Sequence, residues 1–218
     1  MKEENKFIYP AMLSLTNKKC VVVGGGTVAL RKTKTLIEAG AKVTLIAPNF
    51  ASEILDLAPL VTLVQRNYEN DDLQGAFLVV AATDSFEVNR QVTEAATCLV
   101  NNITEPELSN FIVPSSFSKG DIQISIATGG VPAFTRKLKQ YLQGKLPESF
   151  AEFNEFLQEQ RNVVKSIPSS SVERTAFWRD ALNEEVFDLL EQGKTLLAKE
   201  IFLHAVDRFR AESQDSSR

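Results

Sequence analysis

Gly24, Gly25, Gly26, Thr27, Val28 and Ala29 stand together as "GGGTVA", between "KKCVVV" and "LRKTKTLIEAG". Gly24, Gly26 and Ala29 fit the spacing G-x-G-x-x-G/A, which suits a backbone that a pyrophosphate must approach. Gly24 permits a tight turn, Gly26 has no Cβ to obstruct a phosphate, and Ala29 is small enough for close helix–sheet packing. The N–H groups and positive end of the following helix then hold the negative charge. Alone the string is a weak signal. Its place inside a strand-helix-strand unit is the setting that the motif requires.

Such sites usually carry an acid at the end of the second strand to bind ribose hydroxyls. Here that corner reads Ala47-Pro48-Asn49. Asn49 can hydrogen-bond a ribose, and no arginine at this corner favours a 2′-phosphate. The expected cofactor is therefore NAD rather than NADP.

Other chemistries are poorly supplied. The 218 residues include one histidine and two cysteines, so neither a zinc site nor a Ser-His-Asp system is expected. Cys20 and Cys98 border apolar runs and read as buried, reduced thiols. His204, in "KEIFLHAVDRF", reads as structural or solvent-facing. Chemistry in this chain falls to a bound cofactor.

The elements that must position the glycines follow from periodicity. Lys19 to Val23 predicts a strand, Val28 to Ala39 an amphipathic helix with Gly40 just past its end, and Lys42 to Ala47 a second strand. Val61 to Gln65 predicts a third strand, and the apolar "FLVVA", Phe77 to Ala81, a central parallel one. "TDSFEVNRQVTEAAT" opens with capping residues and continues as a helix; Leu99-Val100 and Phe111 to Val113 read as short strands. This alternation predicts a doubly wound parallel sheet.

The pattern changes beyond residue 113. Ile122, Ile124 and Ile126 alternate with Gln123 and Ser125, predicting a half-buried antiparallel or edge strand with a second subunit as one candidate cover. "TGGVP" predicts a turn, and Ala133 to Gln143 a basic amphipathic helix. From Pro147 onward the composition is helical, with a break at Ser166 to Ser171 where Ser170 and Glu173 fit a capping box. Residues 211–218 read as a disordered tail. The fold class is thus α/β: a Rossmann-like domain over 1–113, a small α+β segment over 114–146, and a helical C-terminal domain over 147–218.

At 44% hydrophobic and 24% charged the composition is that of a globular protein. A net charge of −4 argues against a nucleic-acid partner. No apolar run approaches the roughly 20 residues that span a bilayer, and Met1 to Lys6 is polar without a signal-peptide core. A cytoplasmic location without membrane contact is expected.

Four blocks, in order, carry a resemblance: "YPAMLSLTNKKCVVVGGGTVALRKTKTLIEAGAKVTLIAP", "AFLVVAATD", "LVNNITEPELSNFIVPSS" and "GDIQISIATGGVPAFTRKLKQYL". Across roughly residues 7–165 the chain resembles the N-terminal module of siroheme synthases, the precorrin-2 dehydrogenases with or without sirohydrochlorin ferrochelatase activity. The resemblance implies NAD-dependent oxidation of the tetrapyrrole precorrin-2 to sirohydrochlorin. It also implies a homodimer, with dimerisation through the central segment. Carried across, the nucleotide would contact Gly24, Gly26, Thr27 and Val28, with Pro48 and Asn49 at the adenosine side. Thr83 and Asn101 would lie near the nicotinamide, Thr83-Asp84 reading equally as a helix N-cap.

One departure stands out. The family commonly carries an aspartate where "VNNITEP" has Thr104, with Glu105 beside it. Threonine cannot act as a carboxylate base. Either Glu105 substitutes, or oxidation proceeds without a protein carboxylate here. Iron insertion depends more on a positioned base or ligand, so ferrochelatase activity is doubtful. Thr128, in the "ATGG" turn, is a candidate substrate contact or a turn hydroxyl. Arg136, Lys137, Lys139 and Lys145 read as a solvated face or as cations for the substrate's carboxylates. The competing class is an NAD(H)-sensing regulatory module without tetrapyrrole turnover.

Overall fold

The computed structural model describes residues 8–215. Met1 to Lys6, and the end of the expected tail at 216–218, lie outside the described residues. The chain divides into two compact units, Met1–Val113 and Pro114–Arg218.

The first unit is built on β1 (Lys19–Val23), β2 (Lys42–Ile46), β3 (Thr62–Val64), β4 (Leu78–Ala81) and β5 (Leu99–Asn102). All pairings are parallel and the order is β3-β2-β1-β4-β5. Helices α1 (Thr27–Glu38), α2 (Ser52–Leu55) and α3 (Phe86–Ala95) connect the strands. The period-two geometry of a strand splits the valine runs between two faces. Cys20, Val22, Leu45, Leu78 and Val80 form one core with Ala29 and Leu36 of α1. Val21, Val23, Ile46, Val79 and Ala81 form the other with Val92 of α3. Each buried valine, leucine or isoleucine contributes about 1.5–3 kcal/mol by leaving water, so an uninterrupted apolar run is what a doubly covered strand requires.

Strand order decides where a ligand fits. From β1 the chain crosses to β2 on one side, and β4 then pairs on the other. A crevice opens at that reversal, outside the carboxyl ends of the strands.

The second unit starts with a hairpin, β6 (Ser115–Lys119) and β7 (Ile122–Ile126), antiparallel with Phe117 opposite Ile124. Five helices follow: α4 (Pro132–Lys145), α5 (Glu148–Ser166), α6 (Ser171–Ala181), α7 (Glu184–Glu191) and α8 (Thr195–Asp215). Phe153, Phe177 and Phe202 centre their core, with Phe156, Trp178 and Phe209 packed around them. The expected capping box forms: the Ser170 N–H donates to Glu173 Oε2 at 2.6 Å and the Glu173 N–H to Ser170 Oγ at 3.2 Å.

Two expectations change and one gains a partner. Phe111 to Val113 is not a strand; the Phe111 N–H donates to the Val100 carbonyl and Asn101 Nδ2 to the Phe111 carbonyl, each at 3.2 Å, which ties the segment to β5 without a ladder. The isoleucine strand is antiparallel, as expected, and its partner is the serine-rich β6, which alternation did not reveal. Residues 211–215 continue α8 rather than fraying. "AESQD" contains the helix formers Ala, Glu and Gln, which extend a helix already nucleated upstream.

Candidate functional site

The three glycines do different work. Gly24 has φ of +138°, and a Cβ there would lie 2.2 Å from the Ala82 carbonyl oxygen. A Cβ on Gly25 would lie 1.9 Å from the Asn49 carbonyl oxygen. Both therefore let backbone approach backbone. The Gly24 N–H donates to Ile46 O and the Ala51 N–H to Gly25 O, each at 2.9 Å. Gly26 differs, because a Cβ there would meet nothing within 4 Å. It begins α1 without any side-chain cap, so the helix's first N–H groups face open space with their partial positive charge. Gly25 falls outside the motif's fixed positions; the run of three glycines was its only signal.

A cleft of about 950 Å³ opens over this turn, a size suited to a large cofactor. Gly24, Gly26, Thr27 and Val28 line one wall, Pro48 and Asn49 a second, and Thr83 a third. Ala29 is fully buried where α1 meets the sheet. Two unexpected residues, Asn67 and Tyr68 after β3, also line the cleft. Among the described residues, no lysine or arginine does. Arg66, next to Asn67, is held elsewhere: its Nη1 and Nη2 donate to Asp72 at 2.9 and 2.5 Å.

Asn101, Thr104 and Glu105 are not among the lining residues. Asn101 Nδ2 donates to the Phe111 carbonyl at 3.2 Å. Thr104 belongs to a buried network of carboxamides and hydroxyls. Asn89 is fully buried; its Oδ1 accepts from Thr83 N–H at 3.1 Å and Thr83 Oγ1 at 2.8 Å. Its Nδ2 donates to Thr83 O at 3.0 Å and to Thr104 Oγ1 at 3.1 Å. Asn102, also fully buried, accepts from the Thr104 N–H, the Thr104 hydroxyl and the Glu105 N–H at 2.9–3.0 Å. The loops after β4 and β5 are thus pinned to each other. Neither asparagine was singled out from sequence, where both read as ordinary polar residues in a helix and a strand end.

Glu105 is buried against Arg90, whose Nε and Nη2 both donate to its carboxylate. The guanidinium holds that carboxyl below the usual carboxylate range. In the second unit, the Thr128 and Thr135 hydroxyls are hydrogen-bonded to each other, and Thr128 Oγ1 lies 3.3 Å from the Val131 carbonyl. Arg136 and Lys137 are exposed, while Lys139 Nζ donates to Ser116 O at 2.7 Å. Cys20 is fully buried, which pushes its thiol up to about 11; Cys98 is half-buried. His204 is exposed.

Two buried hydroxyls have no hydrogen-bond partner among the described residues, those of Thr33 and Tyr68. Such a group costs about 1–3 kcal/mol. Thr33 lies in the middle of α1, away from the cleft; Tyr68 lines it. Burial raises the Tyr68 phenol's pKa and keeps it a neutral donor. Among the described residues no His, Cys, Asp and Glu cluster could hold a metal, and no helix is long and apolar enough to cross a membrane.

A parallel sheet with an uncapped helix start at its topological reversal, joined to a helical unit, defines a Rossmann-like dinucleotide-binding module with a helical extension. Comparison with known proteins sharpens this. A family model described as "Putative NAD(P)-binding" matches residues 11–115, and one for the "Sirohaem synthase dimerisation region" matches 140–206. Over most of its length the chain is similar to siroheme synthases. It is 34% identical over 206 residues to a siroheme synthase of Thioalkalivibrio sulfidiphilus, covering 91% of this chain and 42% of that protein. A siroheme synthase of Hahella chejuensis is 35% identical over 193 residues, covering 85% and 41%. The chain thus spans about two fifths of the length of the curated relatives it matches. A solved structure, "SirC, precorrin-2 dehydrogenase", superposes with a TM-score of 0.76 at 26% identity, over 92% of this chain and 100% of that one.

Proposed function

We propose that this chain is an NAD-dependent precorrin-2 dehydrogenase, forming sirohydrochlorin in siroheme biosynthesis as a cytoplasmic homodimer. The carrying observation is the likeness to the precorrin-2 dehydrogenase SirC over the whole of that chain, together with the open glycine corner. When bound, the dinucleotide supplies the acceptor for the hydride that precorrin-2 loses.

In this reading the turn at Gly24, Gly26, Thr27 and Val28 receives the pyrophosphate. Pro48 and Asn49 bound the adenosine side, and Thr83 stands on the nicotinamide side. A cleft lining without lysine or arginine among the described residues favours NAD over NADP. Asn101, Thr104 and Glu105 serve by holding the wall behind Thr83. Thr104 already bonds two asparagines and Glu105 is occupied by Arg90, so the proton released on oxidation leaves through water. The same occupation argues against iron insertion at these residues. Thr128, with Arg136, Lys137, Lys139 and Lys145, offers hydroxyl and cationic contacts for a polycarboxylate substrate. The division of labour is a nucleotide domain over 1–113, a dimerisation segment over 114–146 and a helical domain over 147–218. The dimerisation model's match at 140–206 extends that role into the helices.

The test is an anaerobic absorbance assay of precorrin-2 with the purified chain, comparing NAD with NADP and then adding ferrous iron. Sirohydrochlorin forming with NAD, and no faster metal uptake than without protein, is the expected result. Nucleotide binding without oxidation would replace this reading with the sensor.

A further inference from the structure

Asp84 is the one carboxylate among the described residues that line the cleft, and no lysine or arginine of those residues lines it. Thr83-Asp84 reads from sequence as a helix cap, yet the start of α3 is served without Asp84. Ser85 Oγ accepts the Val88 N–H at 3.3 Å, and Thr83 Oγ1 accepts the Ser85 N–H at 3.2 Å. Asp84 is exposed, and its side chain has no hydrogen bond or ion pair among the described residues. The guanidinium of Arg90, further along α3, is already engaged by Glu105. This wall of the cleft therefore carries an uncompensated negative charge.

The charge sits at one end. β4 lies beside β1 on the side opposite β2, whose end carries Pro48 and Asn49. A dinucleotide laid across the glycine turn with its adenosine at Pro48 and Asn49 has its nicotinamide toward Thr83 and Asp84. The two redox forms differ there by one charge: the ring of NAD is cationic, and the electron pair of the hydride neutralises it in NADH. A carboxylate at this end attracts the first form and not the second. Coulomb attraction falls only as the inverse of distance and needs no hydrogen-bond alignment, so it acts without a direct contact.

We infer that Asp84 sets a preference of the cleft for the oxidised over the reduced nucleotide, drawing in the hydride acceptor and loosening the hold on NADH once it has formed. This rests on the proposed NAD-binding reading and adds a residue to which that reading gives no part. Glu94 supplies a control, because it is an exposed carboxylate of the same helix outside the cleft lining.

The experiment measures the affinity of the whole chain for NAD, NADH and ADP-ribose by calorimetry, in wild type, Asp84→Asn, Asp84→Glu and Glu94→Gln. The quantity read is the ratio of the NADH to the NAD dissociation constant. It cancels every effect that the two nucleotides share, the repulsion of the pyrophosphate included. Asp84→Asn should lower that ratio about fivefold, the weight of one charge near the ring in a hydrated cleft. Its affinity for ADP-ribose, which lacks the ring, should not fall. Asp84→Glu keeps the charge and should keep most of the ratio, and Glu94→Gln should leave it as in wild type. Added salt should shrink the wild-type ratio and hardly move that of Asp84→Asn. An Asp84→Asn ratio equal to that of wild type overturns the inference. Equal losses of affinity for NAD, NADH and ADP-ribose overturn it too, marking Asp84 as a support of the loop after β4. So does a fall in Glu94→Gln as large as in Asp84→Asn. Wild-type protein that binds none of the three ligands would instead bring down the NAD reading itself, and this inference with it.

Discussion

Two corners lie at the same carboxyl edge of the parallel sheet, and they are made of opposite materials. The corner after β1 is backbone: Gly24 and Gly25 admit carbonyls where side chains would collide, and Gly26 leaves the start of α1 open. The corner after β4 and β5 is side chain: Asn89 and Asn102, both fully buried, satisfy the backbone and hydroxyls of Thr83 and Thr104. The first leaves donors free for a ligand; in the second the donors of Thr83, Asn89, Asn102 and Thr104 already have partners. A ligand-facing surface needs unspent hydrogen-bonding capacity, whereas a wall needs all of its capacity spent.

The comparison breaks most visibly at the glycines themselves. Gly25→Ala places a Cβ against the Asn49 carbonyl and should cost about 3 kcal/mol of stability, the upper range for overpacking. Gly26→Ala, at φ −95° and ψ −170°, keeps a conformation open to alanine with free space around it. Its stability should stay within about 0.5 kcal/mol of wild type, while the affinity for NAD falls about tenfold, or about 1.4 kcal/mol. Urea unfolding and calorimetry read the two effects separately. Equal destabilisation by both substitutions would show that the third glycine is structural after all.

At the second corner the expected effect is somewhat smaller. Asn89→Leu keeps the volume but strands the Thr83 N–H and carbonyl and removes the donor to Thr104 Oγ1. The loss should be about 2–3 kcal/mol, since buried groups left unpaired cost their desolvation. Weaker NAD binding should accompany it as the Thr83 loop loosens. Stability within error of wild type would mean that water can replace the carboxamide, and the wall would not be closed.

The same contrast explains what could be read from sequence. The glycine corner is encoded locally: three residues without side chains, flanked by a strand period and a helix period, have few other uses. The continuous apolar runs of β1 and β4 were legible for a similar reason, because both faces of those strands are covered. The β4–β5 corner is encoded across distance. Asn89 and Thr104 are 15 positions apart, and nothing in their types declares that they bond. Glu105 likewise reads as a candidate stand-in base because nothing near it in sequence declares the ion pair with Arg90, 15 positions away. Strand β6 was hidden because three serines and a lysine surround its one buried aromatic, Phe117.

The mildest test concerns protons and separates the corners by charge. Glu105 has its carboxyl lowered by the hydrogen bonds and charge of Arg90. A lowered folded-state pKa means that the unfolded chain binds the proton more readily. The contribution is therefore fully present above the ordinary value of 4.5 and is lost as pH falls through the folded value. Glu105→Gln should be less stable than wild type by a constant amount from about pH 6 to 8, with the two converging in acid. The measurement is urea unfolding of both proteins across that range and down to about pH 3.5. A gap that persists undiminished in acid would show that the charge of Glu105 is not what fastens the loop after β5. The wall would then rest on the carboxamide network alone, which carries no titrating group, and the two corners would differ in geometry but not in their response to pH.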